Sequence, residues 1–287
     1  MHSFTVRIGP VGFRVGSAWP RPVAALEAIY AGYPGPRDGI ADFTVRLEPE
    51  RPWRRFVRPS VAIRGDFILP DAVPMALRHG FLAAEMGMNL QMALGQRRFL
   101  LLHASAVERD GRVLLMTGES GAGKSTLAAL LGERGWRLMG DEFALVDPVS
   151  GLIHAFPRAV SLKNAAIAML RAEASEDRFG PELDGTPKGT LRHLRPRADA
   201  VARMDEPAAP ALLLFPRYGH DRAIRPMGEA EIFVRLTQAS TNYVALGEAG
   251  HAALARLVKT VPTRAIDYPD SAAALAIVDM LWAEQAR

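Results

Sequence analysis

The stretch LLMTGESGAGKSTLAALLGERG, Leu114–Gly135, decides the reading of this chain. Within it GESGAGKS, Gly118–Ser125, has the form G-x-x-x-x-G-K-S. An apolar run precedes it and an apolar, capless run follows it. That is the order strand, loop, helix. Glycines at the first, fourth and sixth places let successive backbone N–H groups curl toward one centre without side-chain clash. Those donors and the first turn of the helix suit phosphate oxygens. Lys124 reaches the outer phosphates of a nucleotide, and the Ser125 hydroxyl is offered to Mg²⁺. The expected nucleotide cradle is therefore Gly118, Glu119, Ser120, Gly121, Ala122, Gly123, Lys124, Ser125 and Thr126, with ATP and Mg²⁺ as ligands. A chance glycine-rich turn would not place a lysine directly before a helix start.

Working outward, Asp110–Gly111 is a hairpin signal between FLLLHASAV, residues 99–107, and VLLMT, residues 113–117. The strand entering the loop is thus expected to pair with a strand carrying His103. A lone histidine on an apolar strand ordinarily satisfies a core position, so His103 by itself decides nothing. Downstream, the helix is expected over Lys124–Arg134, closed by Gly135. A short strand, WRLMG, then ends in Asp141–Glu142, starting 16 residues after Ser125. One carboxylate there can hold Mg²⁺ and the other can take a proton from an attacking hydroxyl. A solvated acidic turn is the plainer reading.

The loop alone does not define a reaction. No LSGGQ-like segment and no NKxD segment accompanies it, which leaves a kinase or a nucleotide-driven switch.

The rest of the chain frames this core. It has 287 residues, 49% hydrophobic, enough for one large domain or two modest ones. It has no cysteine, which excludes disulfides, thiolate metal sites and a cysteine nucleophile. The N-terminal stretch lacks a basic segment followed by an apolar one, and no run approaches the ~20 apolar residues of a membrane helix. A cytoplasmic protein without membrane contact is the expectation. The net charge of +4 suits phosphate-bearing ligands. No nucleic-acid-recognition pattern accompanies it, so a nucleic-acid-binding ATPase is only a rival reading.

Period-two segments FTVRI, GFRV, FTVRLE and FVRPSVAI predict strands before residue 65. Val23, Leu26, Ile29 and Tyr30 predict one helix over residues 22–33. Residues 71–96 read as one long helix capped by Asp71, with Met75, Leu82, Met86, Leu90 and Leu94 in the core. FALVD and IHAF read as a hairpin around Pro148–Gly151. Residues 171–200, polar and rich in Pro and Gly, read as a mobile segment or a flap. Strands are expected at residues 211–215 and 263–268, and helices at 230–235, 247–259 and 271–284.

His103, the hairpin, GESGAGKST and RGWRLMGDE together resemble the HPr kinase/phosphorylase family, which has a histidine before such a loop and an acidic pair after the helix. The HPr-kinase-related A group is the nearest likeness. It carries a stretch like VRIGPVGFRV…YPGPRDGIADFTVRLE, then segments like PRAVSLKN, KGTLRHLRP and FPRY, here at 157–164, 188–196 and 215–218. The resemblance implies an α/β fold with a P-loop kinase core of the HPr kinase and phosphoenolpyruvate carboxykinase type. It implies residues 99–287 as the catalytic domain and residues 1–98 as an α+β region for acceptor recognition or packing. It implies Asp141 as catalytic base, with His103 tuning it or contacting phosphate, and Lys124 on the phosphates. Ser125 and Glu142 would hold the metal, Glu142 standing where the family has a second Asp. Arg158, Lys163 and Lys188 would reach phosphate or acceptor, although each is also explained as ordinary surface charge. Arg217 can equally be structural.

The family's downstream signature for dephosphorylation is absent. The implied activity is therefore transfer of the γ-phosphoryl group of ATP to a hydroxyl of a protein or peptide serine or of a small metabolite. A nucleotide-binding regulator or assembly ATPase is the alternative. HPr kinases form hexamers, which leaves a homo-oligomer open.

Overall fold

The computed structural model describes residues 1–285. The chain opens with β1 (His2–Ile8), β2 (Val11–Ser17), α1 (Pro20–Ile29), β3 (Phe43–Pro49), β4 (Ser60–Gly65), β5 (Met75–Ala76) and α2 (Gly80–Gly95). It continues with β6 (Leu100–Leu102), β7 (Ala104–Arg109), β8 (Arg112–Thr117), α3 (Lys124–Glu133), β9 (Arg137–Gly140), β10 (Ala144–Val146), β11 (Ile153–His154), β12 (Val160–Lys163) and α4 (Ala165–Arg171). It ends with β13 (Leu183–Thr186), β14 (Gly189–Leu194), α5 (Ala198–Ala202), β15 (Ala209–Tyr218), β16 (Ala223–Pro226), α6 (Glu229–Ala239), α7 (Tyr243–Thr260), β17 (Thr263–Tyr268) and α8 (Ser271–Glu284).

These elements make a mixed α/β structure with several sheets. The largest has six strands in the order β16-β17-β15-β8-β7-β9. β17, β15 and β8 run parallel at its centre. Burial on both faces explains why VLLM and LLLF read as continuous apolar runs. Val107, Leu114, Met116, Leu212 and Leu214 face α3 and α8 on one side. Ala106, Val113, Leu115, Leu213 and Phe215 face α6 and α7 on the other. The two sets alternate along each strand, as the pleat requires.

β7 and β8 form the expected hairpin, with Arg109 opposite Arg112. Asp110 and Gly111 both take positive φ, 54° and 74°, the geometry of a two-residue turn matched to strand twist. The expected single strand over 99–107 is instead two. β6 pairs with β10, whereas β7 joins the large sheet. The break falls at His103, whose N–H donates to the Ala239 carbonyl at 2.7 Å.

The helix expected over 71–96 starts only at Gly80. Pro74 disfavours helix at Val73. Met75 and Ala76 pair with β4, and a 3₁₀ turn, Leu77–His79, follows. The expected core stripe is also corrected. Met86 and Leu94 are 47% and 37% exposed, while Phe81, Leu82, Ala83, Ala84, Met88 and Met92 are buried. Gly87 sets this orientation: a Cβ there would lie 2.6 Å from Val45 Cγ1, so the small face of the helix meets the sheet.

The first sheet, β1-β2-β3-β4-β5, shares its core with residues beyond 98. Phe13 and Phe156 have ring centroids 6.2 Å apart, and Phe99, Leu101 and Phe143 join the same cluster. Residues 171–200 carry regular structure: β13 and β14 form a hairpin against β12. Among the described residues no helix is long and apolar enough to cross a membrane.

One expected site residue belongs to the packing. Arg158 is 3% exposed and bonds Glu85, also through the Glu85 carbonyl at 3.1 Å, and Asn89. Tyr30 Oη donates to Glu85 at 3.2 Å. Burial works against the guanidinium charge, but Glu85 and Tyr30 outweigh it and raise the Arg158 pKa. Arg158→Ala strands Glu85 as an uncompensated buried charge. The expected cost is roughly 3–5 kcal/mol in urea unfolding, largely relieved by Glu85→Leu in the same chain. A cost below 1 kcal/mol would mean that the pair is solvated.

Candidate active site

The loop Gly118–Ser125 leaves the C-terminal end of β8 and runs into the first turn of α3. Gly121 and Gly123 have φ of +89° and +90°, which L side chains rarely adopt. At Gly123 a Cβ would also lie 2.4 Å from the Tyr268 hydroxyl, which donates to the Ala122 carbonyl at 2.9 Å. Tyr268 stands at the end of β17 and pins the loop from the side.

The Lys124 ammonium turns back over the loop and donates to the Gly118 and Glu119 carbonyls at 2.7 and 2.8 Å. Burial lowers its pKa; Asp141 and Glu142 work in the opposite direction. Leu127, Leu130 and Leu131 are buried behind it and hold α3 to the sheet, each by about 1.5–3 kcal/mol.

The loop opens on a cleft of about 400 Å³. Ser120 to Leu127 form one wall. Gly118 and Glu119 line a hollow on the other side of the loop. Across the cleft, β9 delivers Asp141 and Glu142. Asp141 is 2% exposed, and its Oδ1 accepts from Ser105 Oγ at 2.5 Å. Its Oδ2 is buried with no partner in hydrogen-bonding geometry, although Ser125 and the Ser161 backbone stand close enough to the carboxyl to stabilise its charge. Loss of hydration, then the Glu142 charge, pushes its pKa up to about 6, while Ser105, Ser125 and the Ser161 backbone hold it from going higher.

Glu142 sits at φ +72°, a left-handed conformation that costs a non-glycine residue about 1–3 kcal/mol. Its Oε2 is 3.7 Å from His103 Nδ1, too long for a hydrogen bond. The break between β6 and β7 turns His103 into the cleft. Its carbonyl accepts from Thr117 Oγ1 at 2.9 Å, tying it to the strand that launches the loop. Burial lowers its pKa, Glu142 opposes this, and Lys124, Lys188 and Lys163 lower it further. The imidazole is therefore neutral at neutral pH.

Lys163, at the end of β12, and Lys188, at the tip of the β13–β14 hairpin, also line the cleft. Asn164 joins them: its N–H donates to the Thr190 carbonyl at 3.0 Å and its Oδ1 accepts from the Thr190 N–H at 3.1 Å. Arg158 does not reach the cleft. Arg217 is held by Asp267 at 2.6 Å.

The sequence reading missed Ser105, Ser161, Asn164, Tyr218 and Tyr268, all in the cleft wall. Ser105 had a signal: it lies two residues after His103, and alternate residues of a strand share a face.

The residues present fit a phosphate chain with one Mg²⁺. The Ser125 hydroxyl and the carboxylates of Glu142 and Asp141 line one cleft and are oxygen donors of the kind Mg²⁺ takes, so either carboxylate can serve the metal while the other serves the proton. Among the described residues no three or more His, Asp or Glu side chains form a metal cage. Mg²⁺ bound with phosphates needs only one or two carboxylates.

No family model matches the chain, and no curated protein matches it. Among solved structures, it is similar to the Hpr(Ser) kinase/phosphatase from Coxiella burnetii, at 14% sequence identity. That match covers 65% of this chain and 96% of the other, with a TM-score of 0.28, a distant structural similarity.

Proposed function

We propose that this chain is a kinase that moves the γ-phosphoryl group of ATP onto a hydroxyl of a protein or peptide serine or of a small metabolite. The observation that carries this reading is the buried Asp141 carboxyl, with one oxygen unpartnered, in the same cleft as the Gly118–Ser125 loop.

The loop amides and the first turn of α3 receive phosphate oxygens, and Lys124 neutralises the outer phosphates. Ser125 and Glu142 would hold Mg²⁺, which would add neutralisation of the developing charge. The acceptor oxygen bonds to the γ-phosphorus as the bond from that phosphorus to its bridging oxygen breaks. ADP leaves with the electron pair. The acceptor proton passes to Asp141 Oδ2, whose pKa of about 6 leaves it ionised yet basic at neutral pH. Lys163 and Lys188 supply positive charge to the transferred group. His103 Nδ1, 3.7 Å from Glu142 in this structure, closes to a hydrogen bond with that carboxylate once nucleotide is bound and so orients it. The Ser125 contact favours a second assignment: Asp141 holds the cation and Glu142 takes the proton.

The test is label transfer from γ-labelled ATP to a panel of serine peptides and polyhydroxy metabolites. Label on one acceptor is expected. Label found only in inorganic phosphate would point instead to a nucleotide-driven regulator. With an acceptor in hand, His103→Ala is expected to slow transfer roughly 10–100-fold, as loss of a residue supporting a metal ligand does. Its melting temperature should stay near that of the parent. A histidine that merely fills space predicts the reverse: a lower melting temperature and unchanged transfer per folded molecule.

A further inference from the structure

Residues 51–59 read RPWRRFVRP and connect β3 to β4 through a 3₁₀ turn, Pro52–Arg55. Trp53, Phe56 and Val57 are 55%, 77% and 61% exposed. Arg51, Arg54, Arg55 and Arg58 interleave with them. Some arginines elsewhere, such as Arg7, Arg137, Arg178 and Arg217, meet carboxylates, and others, such as Arg14 and Arg64, do not. Among the described residues these four meet none.

The guanidinium of Arg51 lies 5.3 Å from the Trp53 ring centroid, and that of Arg55 lies 5.6 Å from the Phe56 ring. Charge and ring are therefore presented together, each guanidinium within cation–π reach of an exposed ring. A peptide can cover rings and neutralise guanidiniums at once, since carboxylates take arginine in bidentate fashion. The turn is fixed in place: Trp19 Nε1 donates to the Arg55 carbonyl at 3.0 Å.

The surface is also linked to the cleft. The Leu77 N–H donates to the Pro59 carbonyl at 3.1 Å. Two residues on, His79 Nε2 lies 2.8 Å from the Asp184 carbonyl, on the hairpin that carries Lys188 into the cleft wall.

We propose that the 51–58 turn is a docking surface for an acidic peptide segment that also carries aliphatic or aromatic residues. Its binding needs no nucleotide, so it stands or falls apart from phosphoryl transfer.

Trp53 is a built-in reporter, because Trp19, Trp136 and Trp282 are at most 7% exposed. The probe is a synthetic peptide repeating Glu-Glu-Leu-Phe, added to the full chain. At low salt it is expected to shield Trp53 from acrylamide quenching, and high salt is expected to reverse this. Arg54→Glu with Arg55→Glu should weaken the effect roughly tenfold or more, about 1.4 kcal/mol. Should that chain lose its fold, Arg51→Gln with Arg54→Gln serves in its place. The proposal is overturned if the peptide leaves Trp53 quenching unchanged, or if a Lys-for-Glu version shields equally. Stronger shielding by anionic phospholipid vesicles or by single-stranded RNA would also overturn it.

Discussion

Lys124→Met is expected to lose the proposed phosphoryl transfer by on the order of 10³-fold or more, with the far-ultraviolet circular dichroism of the parent. Methionine keeps most of the buried stem, so packing against the loop survives. The charge on the outer phosphates and the two bonds to the Gly118 and Glu119 carbonyls are lost. The loop is then held by Tyr268 alone from the side. Burial already lowers the pKa of this lysine, so its charge is carried at a cost to the fold. An unaltered or slightly higher melting temperature is therefore expected with the loss of transfer. Near-normal transfer in Lys124→Met would sink the assignment of the loop to nucleotide.

Asp141→Asn has two effects of opposite sign. The proposed transfer is expected to fall by about 10²–10⁴-fold, the usual cost of removing a general base. Stability rises, and the sign follows from the titration. The carboxyl titrates at about 6 in the fold against an ordinary 3.8, so folding favours its protonated form. That contribution is fully present below pH 3.8 and is lost as the pH rises through 6. The difference corresponds to roughly 3 kcal/mol. Asparagine carries no charge and escapes the loss. Urea unfolding without Mg²⁺ should show Asp141→Asn gaining on the parent between pH 4 and pH 8. A constant difference across that range would contradict the raised proton affinity. In the parent, transfer should climb with pH through about 6. If Asp141→Asn instead fails to bind ATP and Mn²⁺ restores binding, Asp141 is the cation ligand and Glu142 receives the proton.

What the sequence disclosed and what it hid divide along a physical line. The β7–β8 hairpin was legible because Asp110–Gly111 is a local turn that needs no distant partner. Helix α3 was legible because the glycines before it and Gly135 after it fix its ends. The start of α2 was not, because pairing of Met75 and Ala76 with β4 overrode the apolar pattern. Arg158 was expected near phosphate, and nothing local to PRAVSLKN announces Glu85, Asn89 and Tyr30, which converge on it from earlier helices. The cleft divides the same way. Asp141 and Glu142 stood out by charge and spacing, His103 only through the family resemblance, and Lys163 and Lys188 could equally be read as surface charge; the fold brings all five to one cavity. Tyr268, Ser161 and Asn164 reach it through sheet order, which no short window of sequence contains.

The shared core of the first sheet has a consequence for the order in which the chain acquires structure during synthesis. β1 to β5 and α2 are complete once residue 95 has been made. Their hydrophobic cluster is not, because Phe99, Leu101, Phe143, Phe156, Leu183 and Leu191 fill part of it. Translation must add about a hundred further residues first, roughly 5–20 s at the usual pace of elongation. Over that interval the nascent sheet keeps an open apolar face. The strand that bears the glycine-rich loop is made within the same interval, so the loop and the sheet that precedes it mature together.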